Sequence, residues 1–338
     1  MTTRMTRTLF DALQANANQD GVIAAAAMDQ RGSLQRALRD AGATEVESEH
    51  LSEFKRLVTE ALSPHASAIL LDPTYGLAAG NARDPSCGLL YSYERSGYDT
   101  SAPGRQPGLL DGWSAHRLVE QGATGAKVLV YYDPNEDEAI NDRKHAFVER
   151  IGAECEAVGI PFFLETLTYN DRTSDPLERA RAKPAAVRAT MAEFAKPHYR
   201  VHVQKVELPF DPAFTAGFSQ APQKVAYDRE AVRDHLLSAA EAASQPFIYL
   251  SAGVDMSVFA EALELAAEAG TGFNGVLCGR ATWKGAIAVY AQQGADAMRA
   301  WLADEGVRNI ETLNATTARS AEPWWSAFGG RDQIEIVA

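Results

Sequence analysis

Residues 201–210 read VHVQKVELPF, a run of mostly apolar residues that predicts a β-strand with a lysine, Lys205, near its centre. Because alternate side chains of a strand share a face, Val201, Val203, Lys205 and Glu207 lie on one side of it. Lysine is rarely buried without a partner, since removal of its charge from water is costly. We therefore expect this face to line the interior of a sheet and Lys205 to have a chemical role.

Seven further short apolar runs surround this one, with helical patterns between them. The eight runs are Val22–Met28, Ala68–Asp72, Gly88–Tyr93, Ala126–Tyr132, Pro161–Glu165, Val201–Leu208, Phe247–Ser251 and Phe273–Gly279. Several are apolar at consecutive positions, which is typical of parallel strands buried on both faces. Between them, the spacing of apolar residues such as Leu51, Phe54 and Val58 predicts amphipathic helices.

This alternation predicts an α/β fold in which residues 1–338 form a single (β/α)₈ TIM barrel. A doubly wound open sheet is the alternative, but no GxGxxG follows the first strand, which argues against a dinucleotide-binding domain. Two connections, 94–112 and 166–184, are long and follow a strand, so we expect both on the catalytic face. The second carries many charges and is a candidate lid.

Composition limits the classes of function. The 338 residues include 32 basic and 45 acidic side chains, and the net charge of −13 argues against non-specific nucleic-acid binding. A small anionic substrate remains compatible with this charge, because a few basic side chains make a local positive pocket. The N-terminus has no apolar run long enough for a signal peptide or a membrane span. With three scattered cysteines and no CxxC, the sequence predicts a cytoplasmic protein.

In a barrel, polar residues at the carboxyl ends of strands face the mouth of the active site. Burial, or a nearby cation, would lower the pKa of Lys205 and make its neutral amine a nucleophile toward a carbonyl. A second strand lysine, Lys127, would repel it and depress both pKa values. Two readings of Lys127 stay open: a side chain in the site, or one that extends toward the bottom of the barrel.

Two carboxylates stand at strand ends as well. Glu165 ends the strand PFFLE and suits proton transfer, especially if partial burial raises its pKa toward neutrality; an ordinary salt bridge is the alternative. Asp29 ends AAAAMD, where it either orders a lysine or a substrate hydroxyl, or caps the helix that begins near Ser33.

Small residues after the last two strands predict a phosphate site. Ser251, Gly253 and Gly279 allow backbone N–H groups to approach a ligand, and Arg280 can bind its oxygens in a bidentate manner. The alternative is that these glycines only make tight turns. No metal-binding spacing of histidines or cysteines occurs in the sequence, and Cys278 reads as a small core residue.

Seven segments, in order, resemble the class I tagatose 1,6-bisphosphate aldolases. They are GVIAAAAMDQRGSL, ILLDPTYGL, AKVLVYYDPNE, FVERIGAECEAVGIPFFLETLTY, VQKVELP, IYLSAGV and FNGVLCGRATWKG, between about residues 20 and 330. The resemblance implies a metal-free barrel enzyme without cofactors that splits tagatose 1,6-bisphosphate, and commonly fructose 1,6-bisphosphate, into dihydroxyacetone phosphate and glyceraldehyde 3-phosphate. It also implies a homo-oligomer.

The same resemblance implies roles for individual residues. Lys205 matches the family's Schiff-base lysine and Glu165 its acid–base glutamate. The matching substrate contacts are Asp29, Gln30, Lys127, Ser251, Gly253 and Arg280. Two alternatives stay open: a sulfofructose-phosphate aldolase that uses the same lysine, and a non-catalytic sugar-phosphate sensor. The partner in every case is a small phosphorylated ketose, with neither a nucleic acid nor a membrane involved.

Overall fold

A closed barrel of eight parallel strands forms the centre of the protein. The computed structural model describes residues 2–98, 100–218 and 224–337. The barrel strands are β2 (Ile23–Ala27), β3 (Ala68–Leu71), β4 (Gly88–Ser92), β5 (Gly125–Tyr132), β6 (Phe162–Thr168), β7 (Val203–Val206), β8 (Phe247–Tyr249) and β9 (Gly275–Cys278). Each overlaps one of the eight predicted runs, and the predicted (β/α)₈ fold is confirmed.

Pairing of the first and last barrel strands closes the sheet. β2 pairs with β9 in parallel from Ile23↔Gly275 to Ala26↔Cys278, so the alternative of an open doubly wound sheet is wrong. Gly275 has φ +138°, and a Cβ there would lie 2.0 Å from the carbonyl oxygen of Ile23. Only glycine therefore allows the two strands to approach at this point.

Helices surround the barrel. They are α1 (Arg7–Ala15), α2 (Gly32–Asp40), α3 (Ser48–Leu62), α4 (Leu77–Asn81), α5 (Ala115–Glu120), α6 (Glu138–Val158), α7 (Pro176–Phe194), α8 (Arg229–Ala240), α9 (Met256–Glu268), α10 (Arg280–Trp283), α11 (Ala286–Gln293), α12 (Ala295–Trp301) and α13 (Val307–Ser320). The helix α3 buries Leu51, Phe54 and Val58 as their spacing predicts. None of the helices within the described ranges is both long and apolar enough to cross a membrane.

The amino end of the barrel is filled and sealed by apolar side chains. Phe163, Val203 and Ile248 lie in one buried cluster with Trp324 and Phe10, and the last two rings meet edge to face at 5.4 Å. The backbone N–H of Trp324 donates to the carbonyl oxygen of Gly21. The C-terminal segment thus closes the bottom of the barrel. A short parallel pair, β1 (Thr3–Thr6) with β10 (Ile334–Val337), joins the two termini.

The prediction of a long loop at 166–184 that acts as a lid is wrong, because most of this segment belongs to a strand and a helix. Strand β6 continues to Thr168 and α7 begins at Pro176, a residue type that the first turn of a helix accepts. The short remaining connection is tied to the 94–112 connection by an ion pair of 2.6 Å between Arg105 and Asp171. The Arg105 guanidinium also lies 4.5 Å from the centre of the Tyr169 ring. The two loops therefore support each other.

Candidate active site

Lys205 lies inside the barrel, near its carboxyl end. Only 4% of the residue is exposed, and its register partner on β6 is Glu165. The Lys205 Nζ lies 3.0 Å from Glu165 Oε2. The predicted nucleophile and the predicted acid–base group are therefore in direct contact, as proton transfer between them requires.

Lys127 occupies the centre of the same charged cluster. Its Nζ lies 2.8 Å from each of three carboxylate oxygens, Asp29 Oδ2, Glu94 Oε1 and Glu165 Oε2. The residue is 1% exposed, so the reading in which it extends to the bottom of the barrel is wrong. Strands β4 and β5 place it here, since Lys127 is the register partner of Ser92, two residues before Glu94.

The pKa values in the cluster correct two expectations. Burial lowers the pKa of Lys127, but Asp29, Glu165 and Glu94 outweigh it and raise that pKa well above its ordinary value. The expected depression by a second lysine is therefore wrong for Lys127. Burial raises the pKa of Glu165, but Lys127 and Lys205 outweigh it and the net shift is downward. The expected rise toward neutrality is wrong for the same reason: two amines face the carboxylate.

Asp29 belongs to this cluster and does not cap a helix. Helix α2 begins at Gly32, and its N-cap, Arg31, makes no side-chain capping bond. Burial raises the pKa of Asp29, whereas Lys127 and Lys205 lower it by more, so the pKa is well below its ordinary value. Asp29 is therefore a stable carboxylate beside the amines, and the capping alternative is wrong.

Glu94 is a site residue that the sequence analysis missed. Its Oε1 contacts Lys127, its Oε2 is buried without a hydrogen-bond partner among the described residues, and Arg31 Nη2 donates to its backbone oxygen at 2.6 Å. Glu94 follows the apolar run Gly88–Tyr93 directly. The rule that singled out Asp29 and Glu165, a polar residue at the carboxyl end of a strand, also applies to it.

The residues predicted to bind substrate, including those of the phosphate site, surround a cleft beside Lys205. Gln30, Ser251, Gly253, Gly279 and Arg280 line it together with Glu165 and Lys205. Gly253 has φ +85°, and a Cβ there would meet the guanidinium carbon of Arg280 at 3.0 Å. Helix α9 begins at Met256 and α10 at Arg280, and neither has a side-chain cap, so a helix N-terminus follows each loop. Arg280 itself is exposed and able to approach a ligand.

A larger groove of about 630 Å³ lies between the end of β6 and α7, and four of its charged side chains form two ion pairs. Arg172 lies 2.7 Å from Asp133, and Lys183 lies 3.0 Å from Glu207. Glu207 also accepts a hydrogen bond of 2.7 Å from the backbone N–H of Thr168. Glu207 therefore belongs to this groove and not to the cluster around Lys127.

The remaining expectations concern the cysteines and the side chains that bind metals in other proteins. Cys278 is buried, and burial raises the pKa of its thiol to about 11, which fits a core residue. The three cysteines are all buried and free. Over residues 2–98, 100–218 and 224–337, no group of three or more His, Cys, Asp or Glu side chains is arranged to hold a metal ion.

Comparisons with known proteins agree with this architecture. The family model described as "DeoC/LacD family aldolase" matches residues 23–285. A tagatose 1,6-diphosphate aldolase of Listeria monocytogenes serotype 4a (strain HCC23) is 46% identical over 336 residues, 99% of this chain and 98% of the relative. One of Staphylococcus aureus (strain MSSA476) is 47% identical over 309 residues, 91% of this chain and 94% of the relative.

A solved fructose-bisphosphate aldolase from Plasmodium falciparum shares the fold, with a TM-score of 0.67 and 12% identity over 95% of this chain and 98% of that one. The family match includes all eight barrel strands, and the relatives align with nearly the whole sequence. The chain therefore belongs to the DeoC/LacD family of aldolases.

Proposed function

We propose that the protein is a class I aldolase that cleaves tagatose 1,6-bisphosphate, and also fructose 1,6-bisphosphate, into dihydroxyacetone phosphate and glyceraldehyde 3-phosphate. The observation that carries the proposal is the buried amine of Lys205, 3.0 Å from the carboxylate of Glu165. The names of the relatives at 46–47% identity support the substrate and favour it over a sulfonated ketose.

The first steps form a Schiff base. Lys205 loses a proton, for which the Glu165 carboxylate is the adjacent acceptor, and the neutral amine attacks the C2 ketone. Protonated Glu165 then returns the proton to the hydroxyl on C2, which leaves as water. The resulting iminium accepts the electron pair of the bond that breaks later, and Glu165 is again a carboxylate. Ser251, Gly253 and Arg280 bind the phosphate on C1 and so hold C2 near the amine, which lowers the entropic cost of the attack.

Cleavage then uses the carboxylates. Glu165 accepts the proton of the C4 hydroxyl while the C3–C4 bond breaks, its electron pair moves to the iminium, and glyceraldehyde 3-phosphate leaves. The enamine takes up a proton at C3, and hydrolysis of the resulting iminium releases dihydroxyacetone phosphate and regenerates Lys205. Asp29 and Lys127 hold substrate hydroxyls during these steps, and Gln30 contributes a further polar group to the same cleft.

The charge balance of the cluster suits this exchange of protons. Three carboxyl groups face two amines, and Lys127 keeps contacts with Asp29 and Glu94 when Glu165 becomes protonated. Lys127 therefore remains a cation throughout the cycle, because two carboxylates still neutralise it. Among the residues that the structure describes, Glu165 alone forms ion pairs with both amines, which makes it the group that shuttles the proton.

The proposal also covers domain organisation, cellular location and oligomeric state. Residues 1–338 form one aldolase domain, the protein is cytoplasmic, and it assembles as a homo-oligomer. Mass determination by light scattering on a size-exclusion column checks the assembly, and a single monomeric mass of 36.6 kDa would contradict it.

The test is a coupled assay of triose phosphate release. Tagatose 1,6-bisphosphate, fructose 1,6-bisphosphate and a 6-sulfonated ketose 1-phosphate are compared, each with and without EDTA. We expect turnover of both bisphosphates, with no loss in EDTA. Absence of turnover on both bisphosphates, or turnover of the sulfonated ketose alone, would contradict the proposed substrate. Loss of turnover in EDTA would contradict the metal-free chemistry.

A further inference from the structure

Close to the active-site cluster lies another buried lysine, Lys55, which the proposed mechanism does not use. Lys55 extends from α3 and is 0% exposed. Its Nζ donates to the carbonyl oxygens of Met28 and Gln30, each at 2.7 Å, and forms an ion pair of 2.7 Å with Asp72 Oδ2. The ammonium has three N–H groups and faces three acceptors. Burial nevertheless lowers the pKa of Lys55, and the ion pair with Asp72 opposes that shift only in part.

The far side of this contact is rigid. Asp72 follows β3, and its Oδ1 accepts hydrogen bonds from the backbone N–H groups of Thr74 and Tyr75, at 3.0 and 2.9 Å. Asp72 is itself 0% exposed. Lys55 therefore connects a fixed carboxylate on one strand end to two carbonyl groups on the neighbouring strand end.

The two carbonyls belong to the residues on either side of Asp29. The backbone N–H of Met28 is also bound, to the carbonyl oxygen of Leu70 at 2.7 Å. Helix α2 begins only at Gly32 and has no side-chain cap, so regular helical bonds do not hold residues 28–30. The contacts of Lys55 supply that restraint.

We propose that Lys55 is a positioning residue of the active site, which clamps the peptides on both sides of Asp29 and so holds the Asp29 carboxylate against Lys127. This inference rests on the proposed function, in which Asp29 touches the substrate. A displacement of about 1 Å in a reacting group lowers a rate about 10²-fold, and a loop without its clamp is free to move that far.

The test removes the clamp without leaving an unpaired charge. Lys55→Met alone would strand the buried Asp72 carboxylate and risks unfolding. The double variant Lys55→Met/Asp72→Asn removes both charges, and the asparagine oxygen still accepts the bonds from Thr74 and Tyr75. Lys144→Met is the matched control, since Lys144 is also 0% exposed but donates to Tyr169, at 3.1 Å, away from Asp29.

We expect Lys55→Met/Asp72→Asn to lower kcat about 10²-fold. Borohydride trapping of dihydroxyacetone phosphate on Lys205 should persist, because Lys205 lies on another strand. Lys144→Met should keep the wild-type kcat. When Asp29→Asn is already present, adding Lys55→Met/Asp72→Asn should lower kcat almost no further, because the carboxylate that Lys55 positions has been removed.

Three results would overturn the inference. Wild-type kcat in Lys55→Met/Asp72→Asn, alongside a defective Asp29→Asn, would mean that the clamp does not act on Asp29. If the fold-losses in kcat of Lys55→Met/Asp72→Asn and of Asp29→Asn multiply when the variants are combined, Lys55 acts through a group other than Asp29. Wild-type kcat in Asp29→Asn alone would instead refute the proposed role of Asp29, and the clamp with it.

Discussion

The amino and carboxyl ends of the barrel interior differ in charge, and the change occurs between consecutive inward-facing positions of a strand. On β6 the inward residue changes from Phe163 to Glu165, and on β7 from Val203 to Lys205. The amino half is apolar and sealed by Trp324, whereas the carboxyl half holds a network of amines and carboxylates. The same eight strands form both halves, so the halves differ in the types of residue at the inward-facing positions and not in the backbone architecture.

This difference separates two tasks. Apolar burial at the amino end contributes stability, because each buried side chain leaves water without the loss of a charge–water contact. Buried ion pairs at the carboxyl end contribute little net stability, since desolvation offsets their attraction. We therefore expect substitutions at the carboxyl end to affect catalysis most and substitutions at the amino end to affect folding most.

The largest effect is expected at the carboxyl end, from Lys205→Met. Without the amine no Schiff base forms, and kcat for the bisphosphates should fall more than about 10⁴-fold. Urea unfolding should show a folded protein of near wild-type stability, because Glu165 keeps its contact with Lys127. Substantial residual turnover in this variant would place the nucleophile elsewhere.

The second effect separates two carboxylates that both contact Lys127. Glu165→Gln should lower kcat by about 10²–10⁴-fold, because it removes the proton acceptor beside Lys205. Glu94→Gln removes an ion pair with Lys127 but none with Lys205, so it should lower kcat clearly less than Glu165→Gln. Steady-state kinetics of the two variants provide the comparison. Equal losses would show that the charge around Lys127 matters and not the proton transfer.

At the amino end, Trp324→Ala should affect stability and leave catalysis intact. The ring is fully buried against Phe10, so its removal should lower the free energy of unfolding by about 3–5 kcal/mol. Denaturant titration measures this loss, and kcat below the unfolding temperature should equal that of the wild type. A reduced kcat in folded protein would contradict the separation of the two ends.

The smallest effect is a pH dependence of stability from His202, which precedes β7 at the amino end. Its Nδ1 accepts a hydrogen bond from the backbone N–H of Phe162, and burial lowers its pKa from 6.5 to about 4. Below pH 6.5 the unfolded chain therefore binds a proton that the folded protein does not. This contribution to stability, present above pH 6.5, is lost as the pH falls to about 4, and totals at most about 3 kcal/mol.

The variant His202→Gln checks that assignment. Its free energy of unfolding should vary less between pH 6.5 and 4 than that of the wild type, as measured by urea titration at several pH values. Identical pH profiles would show that another group is responsible.

Much of the fold was predictable because each barrel strand lies in a short, mostly apolar run, and several of these runs are apolar at consecutive positions. The strands β1 and β10 were not predicted, since each has only four residues and pairs solely because the folded chain brings the termini together. The start of α7 was also missed. Its sequence includes Pro184, a residue that usually marks a helix end, yet the helix continues through it.

The site was predictable where one rule applied, a polar residue at a strand's carboxyl end. That rule selected Asp29 and Glu165, and the lysine inside an apolar strand selected Lys205; the fold brings all three together with Lys127. It applied equally to Glu94, which was overlooked. The directions of the pKa shifts were not predictable, because they depend on how many opposite charges surround each group, and only the folded structure fixes that number.

The most direct test of the proposed chemistry is borohydride reduction in the presence of dihydroxyacetone phosphate, followed by peptide mass mapping. Two lysines, Lys127 and Lys205, point into the same cluster, but the three carboxylates around Lys127 hold it as a cation. We expect the mass increase on the peptide that contains Lys205 and none on the peptide that contains Lys127. An adduct on Lys127, or no adduct at all, would contradict the Schiff-base mechanism proposed for Lys205.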